Sequence, residues 1–326
     1  MQHARIIGTG SYVPDNIMTN DDLAEIVDTS DEWISSRTGI KERRISKGES
    51  TSEMAYYAAL KAIENANISA MDLDLIICAT ITPDSFMPSV ACMVQERLGA
   101  KKAAAFDLSA ACTGMIYAMV TSAMFIENGV YQKILVIGAE TLSKVLNWND
   151  RSTCVLFGDG AGAVVMSVSQ SSRGGMIAHH LFSDGEKQSY LTLPSITLKN
   201  PYVQPETTDV PYILMKGQEV FKYAVRSIAD NIKLLLSKAK MEKEDIQYII
   251  THQANFRIIE HAAKISDISL DKFYVNLERY GNTSAASIGI ALDEMNRKEI
   301  ISAGDKIILV GFGGGMTSGA ILMEWA

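Results

Sequence analysis

No CxxC pair occurs in this 326-residue chain, and its four cysteines (Cys78, Cys92, Cys112, Cys154) are dispersed without metal-ligand spacing. That leaves no basis for a metal site or a disulfide framework, and the pattern fits reduced thiols in a cytoplasm. Positive charge is scarce as well: 30 Lys and Arg against 38 Asp and Glu give a net charge of −8. A dedicated nucleic-acid binder would carry a basic face, so that class is excluded. No apolar run reaches the roughly 18 residues a membrane span needs. The start, Met1-Gln-His-Ala-Arg-Ile-Ile, runs straight into a strand pattern, so no signal peptide is expected. Neither nucleic acid nor membrane is therefore an expected partner. Proline is sparse, and four of the seven (Pro194, Pro201, Pro205, Pro211) fall between Leu193 and Tyr212, which reads as one long loop. What is present is apolar: 47% hydrophobic against 21% charged residues can bury a sizeable core.

Buried strands alternate with helical patterns along the chain. Arg5 to Pro14 reads as a strand ending in a Gly-rich turn, without the spacing of a dinucleotide fingerprint. Asn20 to Val27 reads as a short helix with Asn20 as a cap. A charged stretch with Lys41, Arg43 and Arg44 follows and is expected on a solvated surface. Ser50-Thr-Ser-Glu53 has the form of a capping box opening a helix that ends near Asn65. Leu75–Ala79, Ala103–Phe106 and Lys133–Gly138 are short apolar strands of the kind buried in a parallel sheet. Phe157 to Met166 is a Gly-rich turn into a strand. Gly217 to Lys240 is an amphipathic helix. Tyr248–His252 and Phe273–Leu277 are predicted strands, Thr283–Met295 a helix, and Lys306–Gly311 and Gly319–Trp325 the last two strands.

Two strand pairs repeat at one offset. Lys133-Ile-Leu-Val-Ile-Gly138 matches Lys306-Ile-Ile-Leu-Val-Gly311 at 173 residues (306 minus 133), and Leu75-Ile-Ile-Cys-Ala79 matches Tyr248-Ile-Ile-Thr-His252 at the same 173 (248 minus 75). The chain is therefore read as two similar βαβ-rich α/β halves, 1–172 and 173–326, packed in layers as one unit.

Cys112 stands in Asp107-Leu-Ser-Ala-Ala-Cys-Thr-Gly-Met115, a strand, a tight turn and a helix start. A helix N-terminus favours a thiolate, and cysteine is a strong nucleophile. In the second half, Arg279-Tyr-Gly-Asn282-Thr-Ser284 opens the matching helix, so Asn282 is expected at the quasi-symmetric position. His252 ends the strand that matches Leu75–Ala79. Ligands of open α/β sheets bind beyond the carboxyl ends of strands, so Cys, His and Asn are expected to face one crevice.

Ala110-Ala-Cys112-Thr-Gly114, Thr251-His-Gln-Ala-Asn255, Gly281-Asn-Thr-Ser-Ala-Ala286 and Gly311-Phe-Gly-Gly-Gly315, with Asp31-Glu-Trp33, Arg37-Thr-Gly39 and Phe157-Gly-Asp-Gly-Ala-Gly162, resemble β-ketoacyl-acyl-carrier-protein synthase III of the thiolase superfamily. The resemblance implies a duplicated thiolase-like fold and a decarboxylative Claisen condensation that opens type II fatty-acid synthesis. Cys112 would take the acyl group of an acyl-CoA, and His252 and Asn282 would stabilise the enolate formed as malonyl-acyl carrier protein loses CO₂. The Cys112 and Gly314 N–H groups would form the oxyanion hole. Trp33 and Arg151 would flank the CoA adenine, Arg37 its phosphates, and Asn255 the pantetheine arm. Gln253, Ala254, Asn255, Phe256 and Arg257, with Lys222 and Lys264, would form a local basic edge for the acidic carrier protein. Leu142, Phe157 and Phe312 would line the acyl pocket, with Met87 supplied by the partner subunit of a homodimer. No resident cofactor or metal is implied, since acyl-CoA enters as substrate.

Departures narrow the choice within the superfamily. No cysteine lies beyond Cys154, where degradative thiolases carry a second one, and Asn282 stands where elongating synthases have a second histidine. Plant-type polyketide synthases share Cys-His-Asn but are longer. A condensing enzyme of a specialised polyketide-type pathway and a cysteine hydrolase remain as alternative readings.

Overall fold

The computed structural model describes residues 3–169, 174–204 and 212–326. The boundary at 172/173, Pro205 and Pro211 lie outside the described residues. Among those described, the first half contributes β1 (Ala4–Tyr12), β2 (Leu75–Ala79), β3 (Ala104–Leu108), β4 (Lys133–Glu140) and β5 (Gly160–Val168). The second contributes β6 (Gly175–Ser183), β7 (Tyr248–Thr251), β8 (Phe273–Tyr274), β9 (Lys306–Gly313) and β10 (Thr317–Glu324). The sheet orders are β1-β5-β4-β2-β3 and β6-β10-β9-β7-β8, so each strand has its counterpart in the same place. Pairing agrees too: β2 is parallel to β3 and β4, β7 is parallel to β8 and β9, and the other neighbours are antiparallel.

The helices are α1 (Asp31–Thr38), α2 (Thr51–Asn65), α3 (Val90–Leu98), α4 (Gly114–Glu127), α5 (Gly217–Ala239), α6 (Phe256–Ser266) and α7 (Ala286–Arg297). Side chains alternate across a strand with period two, and this alternation builds the layers. Leu75, Ile77, Ile134 and Val136 point inward, as do Ile250, Ile307 and Leu309 of the other sheet, and together they enclose α4 and α7. Ile76, Cys78, Leu135 and Ile137 face α2 and α3, while Ile249, Ile308 and Val310 face α5 and α6. The result is five layers with two helices in the middle. α4 has no polar face to spare, which is why Met115 to Ile126 carries no charge, whereas α7 ends in the ion-paired Asp293, Glu294 and Arg297.

The offset of 173 extends to backbone irregularities. Asn67 and Lys240 are both left-handed (φ 53° and 54°), as are Ala111 and Ser284 (φ 48° and 49°). Strand glycines let the turns before the central helices cross between halves. A Cβ on Gly138 would lie 2.3 Å from the Ala285 oxygen, and one on Gly311 would lie 3.2 Å from the Thr113 Cα.

Several expectations are corrected. Thr19, not Asn20, caps the Asn20–Ala24 helix. Asn20 is buried, gives its amide hydrogens to Asp31 and the Ile40 oxygen (both 2.8 Å), and accepts from Arg43 (2.8 Å). Arg43 is likewise not a surface charge. It is fully buried, also donates to the Val155 oxygen (2.8 Å), and is pulled down to about 10 by burial. Ser50 caps α2 by accepting from the Glu53 N–H, with no reciprocal bond from Glu53. β8 stops at Tyr274 and Leu277 opens a short helix, Leu277–Tyr280. α7 begins at Ala286, not Thr283, because left-handed Ser284 interrupts the chain there.

Candidate active site

Cys112 lies in the single helical turn Ala111–Thr113 ahead of α4, at the carboxyl end of β3. It lines two cavities, one of about 620 Å³ and one of about 140 Å³. The smaller is also lined by His252, Asn282, Asn255 and Phe312, so the three residues read from the sequence do meet at one crevice. By strict offset Cys112 maps to Ala285 (285 minus 112 is 173), three residues past Asn282. The two functional side chains are therefore neighbours of equivalent positions rather than equivalents.

Each side chain is fixed by a different device. The His252 N–H donates to the Val310 oxygen (2.7 Å), which continues the β7–β9 ladder one residue past the strand. Its Nδ1 lies 2.7 Å from Ser287 Oγ on α7, and its ring meets Phe312 edge-on at 5.0 Å. The Gln253 N–H donates into the same Ser287 oxygen (3.3 Å). That leaves the serine hydrogen for Nδ1 and favours the neutral ring with its proton on Nε2. Burial holds His252 down at about 3. Asn282 exchanges backbone bonds with Leu156 (2.8 Å) and Gly158 (3.0 Å), and its Oδ1 accepts the Ser284 N–H (2.9 Å). With the oxygen engaged, the Nδ2 donors are the free end of the amide.

The thiol behaves differently from the simple helix-terminus expectation. Burial pushes Cys112 up to about 12, with a Ser284 hydrogen bond opposing and the Glu140 charge adding to the rise. Desolvation outweighs the helix terminus, so the resting group is a thiol. Gly313 is where the second half approaches it: a Cβ there would lie 2.7 Å from the Cys112 nitrogen. Gly314 lines the larger cavity beside Cys112.

At the outer end, two guanidinium groups approach the Trp33 ring, Arg37 at 4.7 Å and Arg151 at 5.0 Å from its centroid. Ser30 starts α1 by accepting the Trp33 N–H (3.1 Å), and Arg151 donates to the Asp28 oxygen (2.8 Å). Asn255 caps α6 through its side chain and donates to the Arg37 oxygen (3.1 Å), which links this end to the smaller cavity.

The expected carrier edge is only partly on the surface. Gln253 is 1% exposed and spends its amide on the Thr251 and Tyr274 oxygens and the Asn276 N–H, so it is an internal brace. Ala254 is buried against the smaller cavity. Arg257, Lys264 and Lys222 are exposed, Lys222 in an ion pair with Glu219 (2.9 Å). Leu142 and Phe157 line the larger cavity, but Phe312 belongs to the smaller one, against His252. Met87 is 84% exposed and lines neither cavity of its own chain, while Phe86 lines the larger one. Sequence reading missed Glu140 and Ser287, which stand behind the three residues, and Ser284, which lines the larger cavity beside Cys112. The one signal for Ser284 was its place in the Asn282 run, and Ser287 follows that run by one residue.

A duplicated five-layer frame with its thiol at the junction of the halves is that of the thiolase-like condensing enzymes. Family models for 3-oxoacyl-[acyl-carrier-protein] synthase III match residues 106–185, and for the C-terminal part of the same enzyme residues 236–325. The β-ketoacyl-[acyl-carrier-protein] synthase III of Clostridium novyi (strain NT) is 54% identical over 325 residues, covering 100% of both chains. The crystal structure of 3-oxoacyl-[acyl-carrier-protein] synthase III from Aquifex aeolicus VF5 superposes with a TM-score of 0.92 at 48% identity, covering 99% of this chain and 100% of that one. The priming β-ketosynthase of the R1128 polyketide pathway reaches the same TM-score of 0.92 at 31% identity, covering 99% and 96%. The chain belongs to the β-ketoacyl-acyl-carrier-protein synthase III family of condensing acyltransferases.

Proposed function

We propose that this enzyme condenses an acyl-CoA primer with malonyl-acyl carrier protein, giving a 3-oxoacyl-acyl carrier protein, CO₂ and CoA, and so opens fatty-acid synthesis. The observation that carries the reading is the convergence of Cys112, His252 and Asn282 on one cavity. In the first half-reaction the Cys112 sulfur attacks the acyl-CoA carbonyl, and CoA leaves. The Cys112 and Gly314 N–H groups hold the oxyanion. The acyl chain extends into the larger cavity past Leu142 and Phe157. CoA enters through the smaller cavity, with its adenine near Trp33, Arg37 and Arg151, and Asn255 on the pantetheine path.

In the second half-reaction malonyl-carrier protein follows the same path and loses CO₂. A neutral Nε2–H on His252 and the Nδ2–H of Asn282 then donate to the thioester oxygen as charge builds on it. Neither donor surrenders a proton, which suits a histidine held far below its ordinary value. The enolate carbon attacks the Cys112 thioester and releases product. No resident cofactor or metal takes part.

Arg257 and Lys264 on α6, with Lys222 on α5, give the carrier protein a local positive surface on a chain of net charge −8. β3 is the free edge of its sheet with Phe106 exposed, and Phe86 and Met87 are 76% and 84% exposed. Natural sheets cover such edges, and this one fits a second copy of the chain whose Met87 closes the acyl pocket. Among the described residues no helix is long and apolar enough to cross a membrane, and a cytoplasmic site of action fits the reduced thiols.

An assay across an acyl-CoA series with malonyl-carrier protein, read by product mass, tests the reading. The expected product is a 3-oxoacyl-carrier protein two carbons longer than the primer. Acyl release to water with no condensation product would mean a hydrolase. Cys112→Ala is expected to form no acyl adduct, and a stable labelled adduct in that variant would sink the nucleophile assignment.

A further inference from the structure

Glu140 ends β4 with no exposed surface, directly behind the Cys112 turn. Such a carboxylate normally has a cation beside it. Here, among the described residues, it has none: Lys144 gives its ammonium to the Thr82 and Pro83 oxygens (2.7 and 2.9 Å). Glu140 is held instead by neutral donors. Oε2 accepts from the Thr82 and Thr80 hydroxyls and the Ile81 N–H. Oε1 accepts from Ser284 Oγ at 3.1 Å. Ser284 lines the larger cavity beside Cys112, close enough that its hydroxyl opposes the rise of the thiol. Sulfur, hydroxyl and carboxylate thus stand in sequence, with the hydroxyl bonded to the carboxylate and beside the thiol at the cavity wall.

The duplication shows what this chain is not for. At the offset of 173, Ser284 corresponds to Ala111 and Glu140 to Gly313 (284 minus 111; 313 minus 140). Ala111 makes the same left-handed turn, at φ 48° against 49°, with no hydroxyl. Neither the turn nor the strand end requires the polar pair. It exists on one side of the duplication alone, while on the other Ala111 and Gly313 lie against the Cys112 backbone.

We propose that Ser284 and Glu140 are a proton relay that takes the Cys112 proton during acylation, stores it on the Glu140 carboxyl while the acyl group occupies the sulfur, and returns it after condensation. The proposal rests on the reading of Cys112 as the acylated nucleophile. As the S–H bond breaks, Ser284 Oγ gains that proton and passes its own to Glu140 Oε1. The sulfur lone pair forms the new C–S bond, the bond to CoA breaks, and CoA leaves as a thiolate that takes a proton from solvent. When the enolate expels Cys112 as a thiolate, the same path runs backwards. Glu140 needs an acceptor's charge to begin and a neutral form to wait in, and burial raises it to about 7, where both are accessible. His252 is held too low to serve. The titratable groups around Glu140 are Cys112, Cys78 and Lys144, with Asp84, Asp107 and Asp159 further along the same wall.

Stopped-flow acylation of the wild-type enzyme with acetyl-CoA at about pH 7.5, in weak buffer with a pH indicator, reads the relay directly. Stored protons appear as an uptake from solvent of roughly 0.5 to 1 per acyl group during acylation, with no further uptake on adding malonyl-carrier protein, because the Cys112 thiolate then takes the stored proton. Acyl adduct without uptake would overturn the relay while leaving the nucleophile intact; no adduct on Cys112 would instead overturn the functional reading beneath it. Glu140→Gln and Ser284→Ala are expected to acylate about 100-fold more slowly or worse. Net uptake in both should fall near zero, and the inflection near pH 7 should vanish from the acylation profile. Glu140→Asp is expected to recover part of the uptake. Wild-type rate, uptake and pH profile in the Gln and Ala variants would refute the proposal.

Discussion

Ser287 Oγ lies 2.7 Å from His252 Nδ1 and takes the Gln253 N–H at 3.3 Å, so one hydroxyl on the central helix α7 sets both the orientation and the tautomer of the ring. Ser287→Ala is expected to remove a hydrogen bond worth about 1 kcal/mol and let the ring turn. Malonyl decarboxylation should fall roughly five- to tenfold while acylation of Cys112 is spared. Ring ¹⁵N shifts should move away from a single Nε2–H form. An unchanged tautomer signal with unchanged decarboxylation would count against this role.

His252 and Asn282 converge on the cavity from separate supports, β7 with α7 and the Leu156–Gly158 ladder. His252→Ala and Asn282→Ala are each expected to slow decarboxylation by about 100-fold or more. The acyl-enzyme burst should change only a few-fold. Equal damage to both half-reactions, measured separately, would mean that the donors are not reserved for the enolate.

Gly313 touches the Cys112 turn so closely that even a methyl group has no room. Gly313→Ala is expected to cost about 1–3 kcal/mol in urea unfolding and to abolish acylation, since the turn itself must shift. A variant with native stability and native acylation would show that the contact can relax.

Two buried groups give opposing pH dependences of stability. Glu140 is raised from 4.5 to about 7, so the folded protein binds the extra proton and stability falls as pH rises through that window. His252 is lowered from 6.5 to about 3, so the unfolded chain binds the proton and stability rises with pH from 3 to 6.5. Their effects oppose between pH 4.5 and 6.5, and below that His252 acts alone. Glu140→Gln should unmask the histidine slope. Relative to wild type, the variant should gain on the order of 3 kcal/mol between pH 4 and pH 8. Parallel stability curves for the two proteins would rule this out.

The duplicated frame was legible because buried strands repeat their composition at a fixed spacing, and Leu75–Ala79 with Tyr248–His252 betrayed it. Cys112, His252 and Asn282 were legible for the same reason: each follows a strand that the repeat locates. Chain direction around them was not. Gln253 sits in a polar run that reads as surface, yet its amide fills backbone vacancies inside. Arg43 looked solvated because nothing local announces the Asn20 and Val155 oxygens that receive it. Ser284 and Glu140 lie 144 residues apart, and only the folded sheet edge brings them together.

The pairing of Gly313 with Glu140 also says how a twofold frame became a one-sided catalyst. A copied half starts with two equivalent crevice walls, and chemistry needs only one of them armed. The other wall carries only a methyl group at Ala111 and a hydrogen at Gly313, and what it supplies is vacancy: the room into which the thiol's own backbone is pressed.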